Sequence, residues 1–467
     1  MNPYDKRELV RETNRLNKKK KIIRMILSIV MGLAFTMGAV AGVFILMKDS
    51  TQKTKNAQAK VKKEAEQAKE EKDTKEKERI QLMEEADLLA AMYDYDGAIE
   101  KLNQYPEVDT IPEFTQAKQI YEASKASCTA YDIKEIPHIF FHSLIADNAK
   151  VFDGDNEEAG YNQYMTTIDE FNRIIQQMYE RGYVLVSMHD MAYLDENGVM
   201  QKGSIMLPPG KKAFVLSVDD VNYYNYMQDD GFASRLVIGE DGKPTTERDL
   251  ENGTSEIGDF DVVPLLDKFV EEHPDFSYRG AKGLLGITGY EGALGYRTCP
   301  TDEKNGYDES QIETAKKVAQ CLKDDGWEFA SHTWGHIHMG TVSAEKIRED
   351  SQKWEEQVKP ILGEVDILIY PYGEDINSFR PYTAENEKFT YLKQMGFNYF
   401  CNVDGNKAWV QMGDNYLRQG RRNLDGYRMY HDYTDDTIDK LSDLFDVKQV
   451  YDAQVRPPVP SLTGPGM

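Results

Sequence analysis

The longest apolar run in the chain, residues 25–47 (MILSIVMGLAFTMGAVAGVFILM), is 23 residues long and carries no charge. At 1.5 Å per residue it reaches about 34 Å, enough to cross a hydrocarbon core of about 30 Å with some tilt. The apolar region of a cleaved signal peptide is shorter, about 7 to 15 residues. This run also stays apolar through Gly42-Val43-Phe44-Ile45, where a cleavage site would turn polar. The pattern predicts an uncleaved transmembrane helix. Residues 48–80 reverse it: between Lys53 and Arg79 the apolar positions are Ala57, Ala59, Val61, Ala65 and Ala68. That composition favours helix without a sustained coiled-coil seam and predicts a solvated, charged stalk.

Periodicity returns in residues 81–130. Leu82, Ala86, Leu89, Ala90 and Tyr93 fall at helical spacing, as do Ala98, Ile99 and Leu102; a turn near Pro106 leads into a third helix. The pattern resembles a tetratricopeptide-type hairpin. One such repeat is below the number that normally stands alone, so a helical neck packed on the next domain is expected, with a surface for a protein partner as the second reading. From residue 131 to 440 short apolar strands alternate with amphipathic helices. The strands are read at 138–141, 183–187, 213–218, 283–288, 327–331, 367–370 and 398–402, and the helices at 168–181, 262–272, 311–324, 344–361 and 386–395. Alternation of this kind argues an α/β fold with a parallel sheet, and at this count a (β/α) barrel whose chemistry sits at the C-terminal strand ends. Residues 441–467 read as a Pro/Gly-rich tail, whose terminal VRPPVPSLTGPGM predicts disorder.

Charge adds compartments to this picture. The net charge of the 467 residues is −24, with 80 Asp and Glu against 56 Lys and Arg. Residues 1–48 hold ten Lys or Arg against Asp5, Glu8 and Glu12, a net of +7, so the remainder carries −31. The basic flank lies on the N-terminal side of the apolar run. The positive-inside rule then keeps residues 1–24 in the cytoplasm and places everything after Lys48 outside, at the cell membrane. A body this acidic repels nucleic acid and disfavours strongly anionic polymers. Cys128, Cys299, Cys321 and Cys401 have no metal-ribbon spacing; export permits disulfides, and buried free thiols fit equally.

Three strand ends carry groups that bind metals or move protons. FVLSVDDV ends in Asp219 and Asp220, which by themselves are an ordinary turn feature. WEFASHTWGH places His332 and His336 four apart, on one side of a helical turn, with His338 beyond; three of the chain's eight histidines lie in these seven residues. Clustered His beside Asp from another strand end is what a metal site requires. LIYPYGED, containing Tyr370, Pro371, Tyr372 and Gly373, can hold a backbone N–H in a set direction.

SVDD, HTWGH and YPYG, in that order and separated by β/α segments, resemble the first three motifs of the polysaccharide deacetylases, the NodB-homology domain of carbohydrate esterase family four. The resemblance covers about residues 136–433, and HTWGH is its most specific part. It implies a distorted (β/α) barrel and metal-dependent removal of acetyl groups, usually from aminosugar polymers. IPHIFFHSL at the start of the domain matches a family motif that is normally C-terminal, which resembles the circularly permuted subgroup. Carried over position by position, Asp220, His332 and His336 are the metal ligands, with zinc the first choice by ligand type. Asp219 is the general base and His142 the acid that protonates the leaving amine, with His431 the competitor for that role. Tyr372, Pro371, Tyr370 and Trp334 line the oxyanion and substrate side.

Departures from the family pattern are equally visible. Val221 replaces the Gly after the Asp pair, and VNYYNY adds bulk beside it. Tyr370 stands where the family has the Arg that orients the base, and the nearest remnant of the fourth motif is Asn402-Val403-Asp404. Tyr223, Tyr224, Tyr226, Tyr290 and Tyr296 offer faces on which sugar rings stack, or simply core. Arg418, Arg421 and Arg422 read as internal ion pairs in an acidic domain. The resulting expectation is a hydrolase acting on N-acetyl groups of cell-wall or exopolysaccharide aminosugars. The alternative is a non-catalytic glycan-binding or scaffolding protein that retains the barrel, and a third reading is another metal amidase or O-deacetylase.

Overall fold

The computed structural model describes Met25, residues 50–106 and residues 108–459. The expected cytoplasmic segment 1–24 and the expected span 25–47, apart from Met25, lie outside these residues. Among the described residues no helix is long and apolar enough to cross a membrane. The chain divides into two compact units, Met1–Arg79 and Ile80–Met467. What is described of the first, besides Met25, is the start of α1 (Ser50–Ala91), a stretch rich in Lys and Glu.

The second unit begins with the end of α1, followed by α2 (Tyr95–Asn103) and α3 (Pro112–Ser127). Ala86, Ala98, Leu102, Phe114, Ala117 and Tyr121 meet in one small apolar cluster. The Asp94 side chain accepts from the Gly97 N–H to cap α2, and Pro112 opens α3 at a position where its missing N–H costs nothing. The Tyr93 hydroxyl donates to the Asp275 carbonyl and the Arg279 N–H to the Met92 carbonyl, fastening these helices to the domain that follows.

Seven strands form that domain's centre: β1 (His138–Phe141), β2 (Lys212–Val218), β3 (Leu284–Ile287), β4 (Glu328–Ser331), β5 (Ile367–Ile369), β6 (Tyr399–Val403) and β7 (Leu417–Asn423). Each pairs in parallel with the next, and β7 pairs with β1, so the sheet closes as a barrel wound in chain order. Helices α4 (Ile168–Glu180), α5 (Val262–Glu272), α6 (Ile312–Asp324), α7 (Ala344–Gln357) and α8 (Glu387–Gln394) pack outside, and α9 (Gly426–Thr434) follows the last strand. The period of two on β2 separates the layers. Ala213 and Val215 join Leu284, Ala330, Ile367, Ile369, Tyr399, Cys401 and Leu417 in the barrel filling, whereas Phe214, Leu216 and Val218 join the layer beneath the helices. Helix α4 opens on a capping box, with Thr167 and Glu170 each accepting from the other's backbone N–H.

Two parts of the domain depart from the sequence reading. Strand β7, LRQGRRN, has no apolar alternation, so pattern alone leaves it as loop, yet its first six residues are buried. An antiparallel meander (Arg235–Ile238, Pro244–Asp249, Ser255–Gly258) also interrupts the β/α alternation, its strands too short and polar to signal themselves. A correction concerns residues 441–467: the part up to 459 is not a tail. Leu441, Leu444, Phe445 and Val450 are buried in the main core, and the fully buried Arg456 guanidinium pairs with Glu170 at 2.6 Å, anchoring the segment to α4. All four cysteines are free thiols.

A candidate metal and acid-base site at the barrel rim

Because every barrel strand runs the same way, the residues that follow β1, β2, β4 and β5 emerge on one rim. They are His142, Asp219 and Asp220, His332, and Tyr370 to Gly373. The Asp219 N–H donates to the Phe141 carbonyl at 2.8 Å and the His332 N–H to the Ile287 carbonyl at 2.9 Å, so the ladder itself carries these residues past the strand ends.

Asp220, His332 and His336 converge: one ligand atom from each lies within 4.8 Å of the others, and His336 Nε2 stands 3.8 Å from Asp220 Oδ2. The chemistry of the donor set fits a divalent cation. His332 Nδ1 lies 2.9 Å from the Ile369 carbonyl. A carbonyl only accepts, so Nδ1 is the donor there and Nε2 is the nitrogen available to a metal. Burial, with the Asp220 charge opposing it, lowers the His336 imidazole to about 4, so it is neutral and able to ligate near pH 7. The Tyr224 hydroxyl donates to Asp220 Oδ1 at 2.7 Å and contacts Thr288 Oγ1 at 2.7 Å, leaving Oδ2 toward the histidines. Burial works against the charged form of Asp220, but His336, His332 and His142 hold its carboxyl below the usual range.

The pair His332/His336 is not on a helical turn, contrary to expectation. Residues 332–338 are irregular, with left-handed φ at Thr333 (61°) and His336 (49°), and the two rings stand 4.9 Å apart in edge contact. The Asp350 carboxylate on α7 takes the Trp334 and Gly335 N–H groups at 2.7 and 2.8 Å and fixes the bend. Asp220 (56°) and Tyr372 (59°) are left-handed as well. Non-glycine residues in this region concentrate where surrounding contacts over-determine the backbone, a common property of functional sites.

Asp219 faces a different environment. Arg421, on the polar strand β7, grips both of its oxygens, Nη1 to Oδ1 at 2.6 Å and Nη2 to Oδ2 at 2.9 Å, with the guanidinium 1% and the carboxylate 4% exposed. Burial would raise the Asp219 carboxyl, but Arg421 and His332 hold it well below the ordinary carboxylate range. The Arg missing before Pro371 thus has a counterpart from another strand. Sequence reasoning had Arg421 in an ion pair but without its partner, since β7 itself was not legible. The neighbouring arginines are paired too, Arg418 with Asp375 at 2.8 Å and Arg422 with Asp443 at 2.9 Å.

His142 sits where the Asp219, Asp220 and His336 groups all feel its charge. Its Nδ1 lies 3.1 Å from the Tyr164 carbonyl, so Nε2 is the nitrogen left to exchange a proton. His431 instead lies on α9 against Tyr427 and Tyr430. Tyr372 lies over the cluster, edge-on to His336 at 4.5 Å and stacked on His338 at 3.8 Å, while His338 pairs with Glu374 at 2.6 Å rather than joining the ligands. Three expected lining residues lie elsewhere. The Tyr370 side chain is buried and shares its hydroxyl with that of Tyr382 at 2.9 Å, while Pro371 is buried beneath the loop. Trp334 donates from Nε1 to Gln357 at 2.8 Å, with Lys353 over its ring, and so braces α7. Of the tyrosines, Tyr224, Tyr226 and Tyr290 stack on one another beside Asp220, whereas Tyr223 and Tyr296 bond to Asp261 and to the Leu236 carbonyl.

The chain is similar to known proteins over parts of its length. Residues 307–400, which contain β4, His332, His336 and β5, match the family model described as polysaccharide deacetylase. An uncharacterized 30.6 kDa protein of Geobacillus stearothermophilus, named for its place in the fumA 3′ region, is 26% identical over 110 residues. That is 23% of this chain, and the chain spans about two fifths of that relative, 41%. Among solved structures, a Streptococcus pyogenes deacetylase, PplD, in complex with acetate, aligns over 64% of this chain and 94% of its own at 16% identity, with a TM-score of 0.36. The family match is a similarity over residues 307–400, the part of the chain that holds His332 and His336.

Proposed function

We propose that the protein is a metal-dependent deacetylase of aminosugar polymers, held at the outer face of the cell membrane by an N-terminal helix over residues 25–47. The observation that carries this reading is the convergence of Asp220, His332 and His336 on the rim that also presents a buried, ionised Asp219 and His142. A binding module has no need of ligands, base and acid together. The order of the motifs supports the circularly permuted subgroup, since the strand ending at His142 is the first of the barrel and lies between β7 and β2.

A divalent cation, zinc by ligand type, would supply Lewis-acid polarisation to the acyl oxygen and to water. The Asp219 carboxylate, kept ionised by Arg421, takes the proton of the attacking water. The Tyr372 backbone N–H, on a left-handed residue at the cluster, donates to the acyl oxygen as negative charge develops there. His142 Nε2 delivers a proton to the leaving nitrogen, which departs as a neutral amine. The exposed Tyr226 and Tyr372 rings flank this position and suit stacking on sugar faces. The −31 of the exported body suits neutral or amine-bearing polymers, whether peptidoglycan or poly-N-acetylglucosamine-like, over anionic ones.

Acetate release from N-acetylglucosamine oligomers by the full chain tests the proposal. Release that falls by about 100-fold or more in Asp219→Ala is expected for loss of a general base. Equal release by the variant, or none by the wild type with any divalent metal, would overturn it.

A further inference from the structure

The barrel filling is apolar near its base, but one sector of it is a chain of polar side chains that no motif accounts for. His138 and Gln419 are 1% and 0% exposed, and Ser217 and Arg421 are buried beside them. Burying such groups costs several kcal/mol each unless every donor meets an acceptor, so their pairing is informative.

The direction of every bond can be fixed. Gln419 Nε2 lies 2.9 Å from the Ile136 carbonyl, which only accepts, so the amide nitrogen faces it. Gln419 Oε1 then faces His138 Nδ1 at 3.1 Å, and that nitrogen must carry the proton. His138 Nε2 is left to accept from the Ser217 hydroxyl at 3.0 Å. Ser217 Oγ in turn accepts from Arg421 Nη1 at 3.1 Å, and Arg421 holds Asp219 with both terminal nitrogens. Burial, reinforced by the Arg421 charge, lowers the His138 imidazole well below its ordinary value and keeps it neutral, as this direction requires. The Nε of Arg421 is buried without a hydrogen-bond partner. The guanidinium is therefore located by Asp219, by Ser217 and by the Phe140 ring 4.2 Å away.

We infer that His138 is a positioning residue, which through Ser217 and Arg421 sets the orientation of the Asp219 carboxylate. The inference rests on the assignment of Asp219 as base. A hydroxyl without His138 has no fixed acceptor and turns freely, so the one neutral hydrogen-bond acceptor of Arg421 is no longer oriented and the bidentate grip loosens. Supporting groups of this kind are typically worth about 10- to 100-fold in activity.

Two measurements on the full chain decide it. In the first, acetate release is compared for wild type, His138→Phe, Ser217→Ala and the double variant. The expected result is a kcat lower by about 10- to 100-fold in either single variant, with KM and zinc affinity unchanged and the double variant no worse than the singles. His138→Gln, which offers both a donor and an acceptor, should recover part of the loss. A kcat within about twofold of wild type in Ser217→Ala, a change of only about 0.4 kcal/mol in barrier, would overturn the inference; this smaller truncation also serves if His138→Phe does not fold. In the second, a crystal structure of Ser217→Ala shows whether Arg421 still holds both oxygens of Asp219; an unchanged pair overturns the inference. If the wild type releases no acetate while Arg421 moves in the variant, the deacetylase reading fails and the positioning link stands.

Discussion

Asp219 and Asp220 are neighbours in sequence and differ in task because of what each carboxylate touches. Asp220 receives one neutral hydroxyl, from Tyr224, and turns its other oxygen to two imidazoles; Asp219 receives a guanidinium on both oxygens. Two outcomes follow. Tyr224→Phe removes the donor that fixes Asp220 and should weaken zinc binding by about tenfold, measured by competition with a chromophoric chelator. Arg421→Met leaves Asp219 buried and unpaired and should lower stability by about 3 to 5 kcal/mol in denaturant unfolding. At this scale the motifs made Asp219, Asp220, His332, His336 and His142 legible, because His and Asp at strand ends are scarce and chemically marked. Arg421 as partner of Asp219 was not legible, since it depends on contact between segments far apart in the chain; Tyr224 as clamp of Asp220 was not, since it depends on the left-handed backbone at Asp220 and Tyr223, which no apolar pattern marks.

Elements follow the same rule, readable where period and length agree. Strand β1 and helix α5 fall at the bounds that their apolar patterns predict, and the Thr167 capping box marks the start of α4. Thr167→Ala should cost about 1 kcal/mol, read from the unfolding midpoint. Strand β7 breaks the rule because ion pairs replace apolar burial along it, and pattern cannot see a partner. A further charged clasp ties neighbouring elements at the opposite end of the barrel: His189 bonds to Glu328 at the start of β4 and to Asp366 just before β5. Burial opposes the protonated form, but the two carboxylates outweigh it and raise the imidazole to about 10. A folded-state value above the unfolded one means that the contribution is complete below about pH 6.5 and is lost as pH rises through about 10. Wild-type stability should therefore fall across this window more steeply than that of His189→Gln, as thermal unfolding at a series of pH values would record.

On the scale of the whole molecule, closure of seven parallel strands in chain order is what brings β1, β2, β4 and β5 to a common rim, although His142 and Tyr372 are 230 residues apart in the chain. Alternation of strand and helix predicted the barrel class. It did not predict the packing of residues 441–459, which Arg456 and Glu170 secure through a buried pair invisible to composition. Organisation around one cation is the central claim, and the most direct measurement is acetate release by the full chain after chelation, during titration with Zn2+. Release should be absent in the chelated chain, rise to a plateau at about one equivalent, as a three-ligand catalytic site requires, and stay absent when Asp220, His332 or His336 is replaced by Ala. Undiminished release by the chelated chain, or a normal plateau in His332→Ala, would contradict it.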